Sequence, residues 1–456
     1  MPDIENRADP SLPPSSKEPP KLLEKLFKLK ENNTTVRTEI LAGFTSFLAM
    51  SYIIFVNPQI LSDAGIPLEA ALAATVYASA FITLLLAFYA NLPIGIAPGM
   101  GLNVFFTYTI VIGQGLSWET ALGAVFISGV IFFILTVTKV RQLIIEGVPS
   151  VLQSAIVVGV GLFISLIGFV NGGLIVADEA TYVALGDVTS TGPLLTLIGL
   201  IIAAFLVVKN VRGGLLITIL VTTILSMIVG FSPYPQGVSD IISFTPPSLS
   251  ETFMKMDLVA AFSYSVIPII FTFTIVGFFE NLGTFIGLNK KAGLIDENGK
   301  IKNIDRAMQA DAVGTMASAT FGSTSLSSYI ESATGISEGG RTGLTAFTIG
   351  ILFVLTLFIA PFIQFVPEVA TAPILILVGA FMLSEIRNIS FKDYTDTIPA
   401  FLTIILMPLT YSIAEGLAFG FISYTPLKLL TGKHKQLDWI MYVVSAAFII
   451  NFLISL

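Results

Sequence analysis

The chain reads as an all-α, polytopic membrane protein of 14 transmembrane spans, arranged as a 7+7 inverted repeat. Three observations predict this. The first is composition: 54% of the residues are hydrophobic and only 12% are charged, where soluble domains carry about 25% charged residues. The second is run length. Apolar stretches recur that approach the roughly 20 residues a spanning helix needs, and they are continuous rather than alternating, which argues against a β-barrel. The third is charge placement. With the N-terminus in the cytoplasm, alternation of the spans brings every Lys and Arg except Lys255 to the cytoplasmic side, as the positive-inside rule requires.

The spans are expected at 37–57, 68–90, 100–112, 117–138, 150–170, 193–208, 213–230, 257–287, 304–321, 325–337, 341–362, 371–385, 397–411 and 413–430. Residues 1–36 form a Pro-, Lys- and Glu-rich tail with no apolar signal-peptide core, expected to be cytoplasmic and disordered. Asn57-Pro58 reads as the stop of the first span. The third span is short and follows the Pro/Gly-rich run 92–101. The tenth is short and follows Gly322-Ser323-Thr324-Ser325. The loop 171–192 carries Asp178, Glu179 and Asp187 and no basic residue, in keeping with an outer position. The last apolar segment, 437–455, suits either a further span or an interfacial helix. Seven spans are an odd-numbered unit, so repeating them in sequence inverts the second half. Interrupted segments at matching places in two such halves point to a substrate site.

Composition also excludes chemistry. The chain has no cysteine, so disulfides, thiol catalysis and cysteine metal sites are out. Its single histidine, His434, lies in a polar stretch near the end, so a histidine relay or a multi-histidine metal centre is out too. No cofactor or metal is expected. A net charge of −7 gives no reason to expect nucleic acid.

The chemistry concentrates in 319–345, ATFGSTSLSSYIESATGISEGGRTGLT, with Glu331 near its middle. A carboxylate at membrane depth is costly and reads first as functional. Broken backbone survives there only where it is buried in protein or lines a cavity. The stretch therefore reads as a half-helix holding a ligand near the bilayer midplane. Glu280, in FFENLGT at 278–284, is the second such carboxylate. A carboxylate accepts hydrogen bonds when ionised and donates when protonated, so the pair suits a neutral ligand rich in N–H groups. Out of water a carboxylate holds a proton more readily, which offers proton coupling without any histidine. Either residue could instead cap a helix or pair with a hydroxyl. Asn103 and Thr107 could add hydrogen bonds, and Asn103 could equally be a packing amide. Phe105 and Phe106 could stack on a planar ligand or simply fill core. Glu338 is expected to pair with Arg341, three residues on. Asp311 and Arg306 read as interfacial, and Glu415 as a charge at a helix N-terminus. An anion carrier would want helix N-termini and cations free of carboxylates, so Glu280 and Glu331 argue against it. An intramembrane hydrolase would use a carboxylate dyad, but the Gly-Asp context of a membrane aspartyl protease is missing.

FLAMSYIIFVNP at 47–58, APGMGLN at 97–103, YIESA at 329–333 and EGGRTGLT at 338–345 together resemble the AzgA-type purine permeases of the nucleobase–cation symporter-2 group. The resemblance runs from about Leu23 to Lys433. It implies the inverted-repeat fold of uracil and xanthine permeases. Its core domain would comprise 37–145 (spans 1–4) and 251–365 (spans 8–11). Its gate domain would comprise 146–250 (spans 5–7) and 366–436 (spans 12–14), with 437–456 as a C-terminal segment. It implies import of a purine base (guanine, hypoxanthine, adenine or xanthine) by proton symport with an elevator-like movement. The setting is a homodimer in the lipid of the bacterial inner membrane, and the alternatives are another base such as uracil or an anion. By motif position Glu280 matches the eighth-span substrate acid, Glu331 the tenth-span acid and Ser332 its polar neighbour. Glu280 and Glu331 would also carry the proton coupling. Thr284 falls where uracil permeases can have a histidine, and Asn103 near the third-span strand that faces the base. The AzgA-type eighth span usually reads Phe-Asp-Thr-Leu-Gly-Thr, and here Glu280-Asn281 replaces Asp-Thr.

Overall fold

A computed structural model describes residues 19–138, 147–294 and 302–455. The tail before residue 19, and Lys139, Arg141 and Lys300 of the charge map, lie outside the described residues. Each expected span has a helical counterpart. Among the described residues, eight helices are long and apolar enough to cross a membrane. Spans 3, 7 and 13 are shorter apolar helices, Met100–Gly113, Gly214–Ile228 and Tyr394–Leu409. Span 10 is a strand followed by the six-residue helix Ser332–Ser337.

Four short strands occur among the described residues: β1 Ile96–Pro98, β2 Ile175–Asp178, β3 Tyr182–Leu185 and β4 Leu326–Ser328. β2 and β3 form a hairpin in the acidic loop. β1 and β4 pair antiparallel, with Ile96 opposite Ser328, Ala97 opposite Ser327 and Pro98 opposite Leu326. Each leads into the short helix of its half, so the interrupted third and tenth spans meet tip to tip. All six strand residues are buried. Extended backbone at this depth needs partners for its polar groups, and the cross-pairing supplies them on one edge of each strand.

Close helix approach rests on small residues. A Cβ on Gly379 of span 12 would overlap the Gly161 carbonyl and the Ser165 hydroxyl of span 5, and one on Gly343 of span 11 would overlap the Ala87 carbonyl of span 2.

Several boundaries differ from expectation. Span 1 is two helices, Val36–Met50 and Ile53–Asp63, with a turn at Ser51-Tyr52. Pro58 does not stop it. Pro58 lies inside the second helix, Ile53–Asp63, where it forgoes only its own backbone bond to Ile54 O. Span 8 is continuous only over Tyr264–Lys291, and the expected start at 257 is a separate turn, Leu258–Ala261. The final segment forms the helix Trp439–Ser455. It folds back along span 14: Ser445 Oγ donates to Phe421 O (2.8 Å) and lies 2.7 Å from Thr425 Oγ1.

Candidate binding cavity at the strand crossing

A cavity of about 750 Å³ opens beside the β1–β4 crossing. One wall is Tyr52 of span 1, Glu280 and Thr284 of span 8, and Ser327, Ser328, Tyr329 and Glu331 of span 10. The facing wall comes from spans 5 and 12, including Gln153, Ser154, Phe381 and Met382. The lining continues to Lys291, Glu385 and Asn388, at the basic ends of spans 8 and 12. The opposite ends of spans 1, 3, 5 and 12 are tied to one another. Tyr108 donates to Asp63 Oδ2 (2.6 Å), Asn171 donates to Tyr108 Oη (3.0 Å), and Thr371 donates to Gln59 Oε1 (2.5 Å).

Glu331 ends the extended stretch and opens the half-helix Ser332–Ser337. Its Oε1 accepts from Tyr52 Oη at 2.8 Å. Tyr329 donates to Pro98 O at 2.8 Å, which fixes its ring 6.1 Å from that of Tyr52. Glu280 differs: its Oε2 is buried with no hydrogen-bond partner among the described residues. A Cβ on Gly99 would sit 2.8 Å from Ser327 Oγ and 3.7 Å from Glu280 Oε2. Glycine there lets the β1 backbone approach the carboxylate.

The structure brings Glu280, Thr284 and Glu331 to one cavity. Thr284 Oγ1 is spent on Glu280 O, 2.9 Å away within its own helix. Ser332 and Asn103 are not in the lining. Ser332 Oγ accepts from Gly95 N at 3.0 Å and fastens span 10 to the approach of β1. Asn103 lies behind the crossing, where it donates to Asn57 Oδ1 (2.5 Å), and Asn57 in turn donates to Thr75 and Ser323. Phe105 and Phe106 are fully buried outside the lining. The aromatic rings lining the cavity are Tyr52, Phe279, Tyr329 and Phe381.

Two acids depart from expectation, and a third, Glu39, carried none. Asp311 is not interfacial: it is fully buried, and both its carboxylate oxygens lack hydrogen-bond partners among the described residues. It sits two turns into the helix Ile304–Phe321, deeper than its distance from Arg306 suggests. Its setting in Ala310-Asp311-Ala312-Val313-Gly314, a run of small residues that packs closely, was the signal for this. Glu338 pairs with Arg212 of the loop between spans 6 and 7. Gly339, at φ 100°, turns the chain, and the Arg341 guanidinium reaches back to Ile336 O (2.6 Å) and Gly340 O (2.7 Å). Such donation to the last carbonyls ends a helix. Glu39, in the first turn of span 1, is fully buried. Its carboxylate accepts from Arg341 N (2.9 Å), Thr342 N and Thr345 N (3.2 Å each) and Thr345 Oγ1 (2.6 Å).

Comparison with known proteins agrees with this architecture. The chain is 41% identical to the adenine permease AdeP of Escherichia coli over 94% of this chain and 96% of that one. It is 39% identical to the guanine/hypoxanthine permease PbuO of Bacillus subtilis, over 94% of this chain and all (100%) of that one. The solved transmembrane domain of a cyanobacterial bicarbonate transporter, BicA, shares the fold at TM-score 0.63 and 15% identity, covering 83% of this chain and 97% of that one. The Xan_ur_permease family, described as Permease family, matches residues 37–455. The chain therefore belongs to this permease family and is a membrane transporter rather than an enzyme.

Proposed function

We propose that this chain imports purine nucleobases, coupled to protons, by alternating exposure of the cavity beside the β1–β4 crossing. The observation that carries the reading is Glu280, whose buried Oε2 has no hydrogen-bond partner among the described residues, in one cavity with a second carboxylate at Glu331. An unpaired acceptor at membrane depth is costly and is relieved by a ligand N–H or by a proton. Purine bases are flat and rich in ring N–H and exocyclic groups. Relatives named as adenine and guanine/hypoxanthine permeases over nearly the whole chain support that class.

In this reading, Glu280 accepts from a ring N–H and Glu331, steadied by Tyr52, holds the other edge. Asp311 is buried on the next helix, span 9, with both carboxylate oxygens unpartnered among the described residues, and two like charges out of water repel. One proton shared between them relieves that repulsion, which gives the proton a place to ride with the base. The core domain (37–145 and 251–365) would move against the gate domain (146–250 and 366–436), with the N-terminus cytoplasmic in an inner membrane and the gate joining a homodimer. The cavity mouth at Lys291 and Asn388 would then be the cytoplasmic exit, and the Asp63–Tyr108–Asn171 tie the closed outer side.

The test is uptake of radiolabelled hypoxanthine, guanine, adenine, xanthine and uracil into transporter-deficient cells, with and without a protonophore. Purine uptake that the protonophore abolishes is the expected result. Purine uptake that survives it removes the proton, and no purine uptake removes the substrate class.

A further inference from the structure

Asn281 follows Glu280, is 1% exposed and is absent from the cavity lining. Its side chain makes two hydrogen bonds, both to β4. Nδ2 donates to Leu326 O (3.1 Å), and Oδ1 accepts from Ser328 N (2.6 Å). In an antiparallel pair, alternate residues turn their N–H and C=O away from the partner strand. Here Ser325 O and Tyr329 N bond toward β1, at Gly99 and Gly95. The Leu326 carbonyl and Ser328 amide therefore point to β4's other edge, where no strand runs. A carboxamide offers one donor and one acceptor in a plane, the same pair a neighbouring strand would offer. Unpaired, these two backbone groups would be buried at membrane depth at a cost of about 1–3 kcal/mol each.

We infer that Asn281 is a positioning residue for substrate recognition: its amide stands in for a third strand and sets the gap between Glu280 and the Ser327–Ser328 segment of β4. The link is short. Ser327 and Ser328 line the cavity, and Ser327 Oγ and Glu280 Oε2 share the space over Gly99. Glu280 and Asn281 are consecutive residues on one rigid helix. The length and hydrogen bonding of the side chain at 281 therefore decide how far β4 stands from the carboxylate. A hydroxyl residue at 281 reaches one of the two β4 groups, not both, so the base would meet a differently spaced pair of walls. This specificity role rests on the purine reading above, whereas the clamp itself does not.

Two measurements test it. Ser328→Cys places a single thiol in a chain that has none, and its maleimide labelling rate in membranes is compared for Asn281, Asn281→Thr, Asn281→Asp and Asn281→Leu. Loss of both of the amide's hydrogen bonds should speed labelling about tenfold for Leu, with Asp and Thr, which each keep one, between. Equal rates in the folded variants overturn the clamp. Separately, Asn281→Asp should raise KM for the transported purine about tenfold and reorder competing purines. Unchanged KM and ranking, or a loss confined to maximal rate, overturn the specificity role. A wild type that takes up no purine overturns that role together with the purine reading, and labelling still decides the clamp.

Discussion

Glu39 and Glu280 are the same residue type at two places in one membrane domain, and their surroundings are opposite. Glu39 is sealed at the start of span 11 with four donors on its carboxylate. Glu280 faces a cavity with one oxygen unsatisfied among the described residues, and Asp311 of span 9 has two. A buried charge is tolerated when its hydrogen bonds are complete, and Glu39 is then a fastener that caps a helix start. One left incomplete is a cost that folding alone does not explain, so what completes it must come and go. Depth in the membrane marks both residues, and the donor count separates the scaffold residue from the proposed site.

The comparison breaks most sharply at Glu280. Glu280→Gln should cut uptake by over about a hundredfold, because it removes a buried charged partner worth roughly 3 kcal/mol or more. Membrane content, read by immunoblot, should hold. Asp311→Asn should behave in the same way. Glu39→Gln should do the reverse, lowering thermal stability in detergent by about 2–3 kcal/mol while leaving uptake per folded molecule unchanged. Tyr52→Phe sharpens the picture at the second acid. It removes one hydrogen bond from Glu331, and KM should rise about fivefold, near 1 kcal/mol. Arg212→Ala breaks an exposed pair with Glu338 and should cost at most about 1 kcal/mol.

The smallest effect lies outside the membrane. Lys433 and Thr395 hold the Asp393 carboxyl well below the usual carboxylate range. With the folded pKa lowered, this contact contributes stability above the ordinary value of about 3.9 and loses it as pH falls through the lower folded value. Asp393→Asn should flatten that acid limb in a melting-temperature series.

The span map was legible because membrane depth writes itself as long apolar runs and loop charge follows one simple rule. The depth of Glu280 and Glu331 was legible because a carboxylate inside such a run is conspicuous. Glu39 and Asp311 were missed for the same reason: each lies near a helix start, where distance from the loop hides depth. The Glu338–Arg341 expectation failed because spacing along the chain cannot show that Gly339 turns the backbone. Ser332 was singled out by the family resemblance and Asn103 as a polar residue of a broken span, yet backbone direction turns the one to Gly95 and the other to Asn57. Tyr52 falls at a break in span 1 that no Pro or Gly announces. The role of Asn281 depends on strand register, which appears only when two halves of the chain meet.

The most direct test of the central claim sets the two glutamates side by side. Initial rates of labelled purine uptake, per folded molecule, would be measured for wild type, Glu39→Gln and Glu280→Gln in the same cells. The account predicts wild-type rates for Glu39→Gln and none above background for Glu280→Gln. Uptake by Glu280→Gln at the wild-type rate would contradict it.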